Sequence, residues 1–182
     1  MSTETTLITN YPEFIRFLEH ESVMHQSVEA EKSAYIPTQL KGLEGVQLIR
    51  WQEADSVLQF IQSMPIEVPE DRIAAVESAT ARLNHALAIP GIDLNHEGKN
   101  LAYRLILPLK PRGGVQPDEI SAYFRLAVQI ATELVPTLQR VVSGQLASAD
   151  VVADAQKERS GAASPPETAA PAAPDPSVFQ VD

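Results

Sequence analysis

The sequence predicts an α+β fold, an antiparallel sheet of about five strands packed by helices, in the order helix, three strands, helix, two strands, helix. Three observations lead there. Apolar residues recur at helical spacing through Ile73, Val76, Thr80, Leu83 and Leu87. Polarity alternates from Leu101 to Leu107, as in a strand with one buried face. Turn residues divide the stretch from Val28 to Met64 into three apolar runs.

Each element has its own local cause. Asn10, with Glu13 three residues later, has the pattern of an N-cap with a reciprocating acid, and Pro12 falls in the first turn, where a missing amide hydrogen costs nothing. Leu7 or Ile8 supplies the packing residue before the cap. Phe14, Phe17, Leu18 and Ile15 give this first helix an apolar face, and the helix should end near Glu21. Strands are expected over Val28–Tyr35, Val46–Gln52 and Val57–Met64, separated by turns at Lys41–Gly45 and Glu53–Ser56. Leu48 beside Ile49, and Leu58, Phe60 and Ile61, put apolar groups on both faces, so the second face of the sheet is expected to be partly covered.

Pro69, Glu70 and Asp71 open the middle helix, and Pro90-Gly91 closes it. The strand Ile92–Asn95, a turn over His96–Asn100 and the strand Leu101–Leu107 then form a hairpin. A loop carrying Gly113-Gly114 for flexibility leads to the last helix, opened by Asp118 and Glu119; Pro136 should kink or break it before Leu138 and Val141.

The chain has 182 residues, and three regions are expected: a flexible N-terminus over 1–9, an α+β domain over 10–144 and a disordered, acidic Ala/Pro-rich tail over 145–182. Some helix could persist from Val151 to Lys157, although so short a segment is marginal without packing. Val178, Phe179 and Val181 are the tail's apolar cluster, able to dock on the domain or on a partner. A net charge of −10 repels phosphate backbones and makes nucleic acid a poor partner. Without cysteine there is no disulfide, thiolate metal site or thiol nucleophile. The N-terminus shows neither a basic flank nor a long apolar run, so the expectation is a cytoplasmic protein without a membrane segment.

Catalytic, cofactor and metal sites are not expected. His20 and His25 would stand about 140° apart on a helix, poor geometry for a shared metal, while His85 and His96 have no visible orienting partner. The carboxylate pairs Asp71/Glu77 and Glu67/Glu70 need a cleft before they imply acid–base chemistry. The glycines at 42, 45, 98, 113 and 114 do not form a phosphate loop. Lys110 and Arg112 read as a solvated connection. Asn84 is expected to tie the helix end to the Ile89-Pro90-Gly91 turn, with Gly91 permitting a tight exit. Trp51 either anchors an interface or completes the core.

Several segments together carry a resemblance: Met64-Pro65-Ile66-Glu67-Val68-Pro69, Leu83-Asn84, Pro90-Gly91-Ile92-Asp93-Leu94, Tyr103-Arg104 through Leu107-Pro108, and Pro136-Thr137-Leu138-Gln139-Arg140-Val141. Over roughly residues 10–144 the chain resembles the YbjN-like family of small bacterial proteins, described as sensory transduction regulators, with a fold similar to type III secretion chaperones. The resemblance implies no catalytic set. It implies a non-enzymatic protein-binding module, chaperone-like or a regulatory adaptor, that takes a partner segment at a sheet edge or a helix-flanked groove. Trp51, Tyr103, Tyr123 and Phe179 are the candidate interface residues. The alternatives are a self-associating structural domain, such as a homodimer, and a small hydrolytic or ligand-binding protein using His, Asp or Glu groups.

Overall fold

A computed structural model describes residues 7–162. Six strands, β1 (Gln26–Val28), β2 (Ser33–Leu40), β3 (Leu43–Gln52), β4 (Val57–Glu67), β5 (Ile92–Asn95) and β6 (Asn100–Pro108), form one antiparallel sheet in the order β1-β2-β3-β4-β6-β5. The helices are α1 (Tyr11–His20), α2 (Ile73–Ala86), α3 (Pro117–Val142) and α4 (Val151–Ala162).

The register puts the core on one face. Ala34, Ile49, Phe60 and Leu105 stand opposite one another across four strands, flanked by the row Trp51, Leu58 and Leu107. All seven are buried under the helices. Phe14 of α1 meets Trp51 with ring centroids 6.3 Å apart, and the Tyr11 hydroxyl donates to the Ser33 carbonyl at 2.9 Å. A third row is polar in part. Gln47 and Gln62 are fully buried, and the Gln62 Nε2 donates to Thr38 Oγ1 at 2.8 Å. The opposite face carries Val46 and Ile106, 41% and 51% exposed, with half-buried Leu48 and Ile61 between. No described helix or strand of the chain covers it, contrary to the partial cover expected from its apolar residues.

The helix starts and stops follow their caps. Asn10 Oδ1 accepts the Glu13 amide at 3.0 Å, while the Glu13 carboxylate turns back to the Thr9 amide and hydroxyl rather than to Asn10 itself. At α3 the Glu119 carboxylate accepts the Gln116 amide at 3.0 Å, and the Gln116 backbone carbonyl accepts the Glu119 amide at 3.0 Å. Pro69 precedes a 3-10 turn over Glu70–Arg72, and the α-helix proper begins at Ile73.

Five expectations are corrected. The single strand over 28–35 is two: β1 ends at Val28, a 3-10 turn over Glu29–Glu31 follows, and Lys32 at φ 49° reverses the chain into β2. The next turn is tighter than expected. Lys41 and Gly42, at φ 49° and 83°, alone join β2 to β3, the two positive φ angles that the right-handed twist of a hairpin favours. Helix α3 is not broken at Pro136 but runs through it, because Leu134, Val135, Leu138 and Val141 on both sides are buried and packing outweighs the lost hydrogen bond. Ile8, placed in the N-terminal segment before the domain, is buried and exchanges two 2.9 Å hydrogen bonds with Val115. Finally, residues 151–162, placed in a disordered tail with at most a marginal helix over 151–157, form α4.

Tertiary contacts supply what the composition of α4 lacks. Val151 and Ala155 are buried, Asp154 meets Thr137 and Arg140 of α3, and Arg159 Nε lies 2.8 Å from Glu133. Residues 1–6 and 163–182, the latter with Phe179, lie outside the described residues.

Candidate functional site

The site begins with a mismatch in strand length. β5 pairs with β6 only from Asn100 to Tyr103, and one further hydrogen bond, from the Arg104 amide to the Gly91 carbonyl at 2.8 Å, ends the ladder. Beyond it β6 continues to Pro108. Ladder alternation turns the amide and carbonyl of Ile106 the same way as those of Arg104. On that side lies no described strand, so Ile106 presents an unpaired donor and acceptor beside an exposed side chain.

A side-chain clasp at the end of α2 fixes where the pairing stops. Asn84 Oδ1 accepts the Gly91 and Ile92 amides at 3.0 and 2.9 Å, and its Nδ2 donates to the Ile92 carbonyl at 2.9 Å. That is the tie expected from the sequence. Gly91 has a different reason from the one expected: a Cβ there would stand 2.3 Å from the Arg104 carbonyl oxygen, so close approach of two backbones, not a tight exit, requires glycine.

Between this edge and α3 opens a groove of about 730 Å³. Ile89, Pro90 and Leu105 form its apolar floor, Ile106 its rim, and Tyr123 and Leu126 of α3 its wall. The Arg104–Asp93 ion pair, at 2.6 Å, separates it from a second trough on the uncovered sheet face, lined in part by Val46, Leu48 and Ile61. Because both charges of that pair are matched, the groove offers apolar surface and backbone hydrogen bonds rather than a fixed charge.

The aromatic candidates separate. Trp51 is 3% exposed and packed on Phe14, and Tyr103 is fully buried with its hydroxyl donating to the Ile89 carbonyl at 2.7 Å. Both are core residues and present no contact surface, which corrects their place in the interface. Burial pushes the Tyr103 phenol up to about 12, so it stays protonated. Tyr123 is half-buried, its ring 5.8 Å from that of Phe60, and it does line the groove. Sequence reasoning missed Ile89, Ile106 and Leu126. The available signal was the unequal length of the two hairpin strands, which leaves one of them without a neighbour.

The charged side chains that line the groove, Asp93 and Arg104, are paired with one another. Among the described residues, no cluster of three or more His, Asp or Glu is arranged to hold a metal ion. His96 does have a partner, Glu77 at 3.1 Å, contrary to expectation, but both are more than half exposed. Arg112 pairs with Glu119 at 2.6 Å, and backbone and side-chain hydrogen bonds from Gln116 and Arg112 hold that carboxylate below its usual range. No described helix is long and apolar enough to cross a membrane.

The fold and site define a class: a one-sided α+β sandwich whose sixth strand runs past its neighbour and leaves part of its edge without a described partner strand. The model of the YbjN family, described as "Putative bacterial sensory transduction regulator", matches residues 15–140, and the chain belongs to that family. The chain is also similar to the crystal structure of "YbjN, a putative transcription regulator from E. coli", with a TM-score of 0.56 at 10% identity, over 78% of this chain and 98% of that one. That likeness is one of fold. No curated protein matches the sequence.

Proposed function

We propose that the chain is a non-enzymatic binding module that takes an extended, apolar segment of a partner protein along the outer edge of β6. The segment would pair with the free amide and carbonyl of Ile106 and seat one side chain in the groove against Tyr123 and Leu126. The unpaired end of β6 carries this reading. Its support from the family is general: a regulator acts by changing what another macromolecule does, and strand addition supplies such contact without a catalytic residue. A chaperone-like adaptor is the form of this activity that the sequence resemblance favours.

The test is a photo-crosslinking amino acid placed at position 106 of the full chain in its native host, with position 44 on exposed β3 surface as control. A protein labelled from 106 and not from 44, through one extended segment, is the expected result. Equal labelling from both positions, or none from 106, would overturn the reading. Labelling only of a second copy would replace it by self-association.

A further inference from the structure

The chain that follows α4 carries a segment suited to this edge. Helix α4 is antiparallel to α3: Asp154 meets Thr137 and Arg140, while Arg159 meets Glu133. Leu126 lies seven residues before Glu133 on α3, which puts both on nearly the same face and about 10 Å apart along the axis. The chain therefore leaves Ala162 heading along α3 toward the wall of the groove. Ser177 lies fifteen residue steps beyond Ala162, a reach of about 46 Å if extended, several times that distance.

The composition changes where that reach ends. Prolines stand at 165, 166, 171, 174 and 176, and none follows up to Val181. Ser177-Val178-Phe179-Gln180-Val181 is β-branched and aromatic, carries no charge and has an amide hydrogen at every position. As a strand it would turn Phe179 and Val181 to one side and Val178 and Gln180 to the other. We infer that residues 177–181 of the same chain occupy the outer edge of β6, with Phe179 in the groove against Tyr123 and Leu126.

The tether makes this occupancy effective. A tether long enough to span the distance holds its end at an effective concentration on the order of 1 mM, so a weakly pairing strand fills the edge in the absence of competition. The inference rests on the receptive edge proposed above and adds its resident occupant: a partner segment must displace residues 177–181, and the tail sets a threshold for binding.

Two measurements on the purified full chain test it. With the photo-crosslinker at position 106, in an equal mixture of isotopically light and heavy chains, the expected product joins position 106 to residues 177–181 within one chain. With the native Ile106 in place, Phe179→Asp should speed hydrogen exchange of the Ile106 amide at least tenfold and leave exchange in the α2 core unchanged. No product with the tail, light–heavy products at random-mixing frequency, or Ile106 exchange indifferent to Phe179→Asp would each overturn the inference. Labelling of a partner in cells separates the two proposals. If it persists while the purified chain shows no tail product, the tail alone is refuted. If the tail product forms while no partner is ever labelled, self-occupancy stands and the partner-binding function falls.

Discussion

Asn84 grips Ile92 from both sides of its backbone, accepting the Ile92 amide at Oδ1 and donating from Nδ2 to the Ile92 carbonyl, each at 2.9 Å. One side chain at the end of a helix thereby sets the start of β5 and the point at which β6 loses its neighbour. Asn84→Ala leaves these backbone groups without a partner and should cost about 1–3 kcal/mol in urea unfolding. Hydrogen exchange at Arg104 should accelerate with it, because the Gly91 carbonyl that accepts the Arg104 amide is no longer held. Unchanged exchange at Arg104 would show that β5 is positioned by other contacts.

Gly91→Ala attacks the same junction from the backbone. The added methyl meets the Arg104 carbonyl oxygen, which cannot rotate away as a side chain would. We expect a loss of about 1–3 kcal/mol from the forced separation of the strands. Gly42→Ala supplies the contrast: no atom lies within 4 Å of its Cβ position, and the cost there comes from the φ of +83° alone.

Trp51, the single tryptophan, reports on the core rather than on binding. Its emission should be blue-shifted and resistant to acrylamide, and a ligand seated on the β6 edge should leave both properties unchanged. Strong quenching in the native protein would contradict the packing of Trp51 on Phe14.

The docking of α4 depends on pH through two carboxylates. Burial opposes ionisation of Asp154, but hydrogen bonds from Arg140 and Thr137 and the Arg140 charge outweigh it and hold its pKa below the ordinary value. Hydrogen bonds from Lys41 and Arg140 do the same for Glu158. Depressed carboxylates stabilise the fold above their unfolded values, about 3.9 for Asp and 4.3 for Glu, and lose that contribution as pH falls through the lower native values. Arg140→Met should therefore destabilise the protein by about 1 kcal/mol near neutrality. Denaturation of the two proteins should converge once the pH lies below both native values; a difference that persisted there would assign the effect to packing of the Arg140 stem instead.

Ile106→Asp separates binding from folding. Ile106 is half exposed and touches solvent on the uncovered face, so its replacement should change stability by no more than about 0.5 kcal/mol. Recruitment of an apolar segment to the edge should fail, as read by loss of labelling from a photo-crosslinker moved to Arg104. Retained labelling would move the docking site away from the end of β6.

Much of the fold was legible because local signals agreed with it. The stripe through Val76, Thr80 and Leu83, the alternation through Leu101, Tyr103, Leu105 and Leu107, and the Asn10 cap all reflect short-range rules. β2 was misplaced because its outward positions include Pro37 and Gln39, and its start depends on a left-handed Lys32 that nothing nearby announces. Helix α4 was legible only as a marginal helix over 151–157, because its weak amphipathic pattern is held by Arg140, Thr137 and Glu133, residues of another helix. The site was hardest of all. Tryptophan and tyrosine were sought as interface anchors, yet Trp51 and Tyr103 complete the core, and the surface proposed for binding belongs to an aliphatic residue singled out by a missing neighbour.

The two ends of the sheet are unequal, and this bears on how copies of the molecule can assemble. At the far end β1 spans three residues, and past it β2 carries Pro37, which has no amide hydrogen to offer. Filament growth by strand addition requires each unit to be receptive on both flanks. On the proposed reading one flank recruits a strand while the other is short and interrupted, so a strand added at β6 meets no matching edge at β1 from which the same pairing could be repeated.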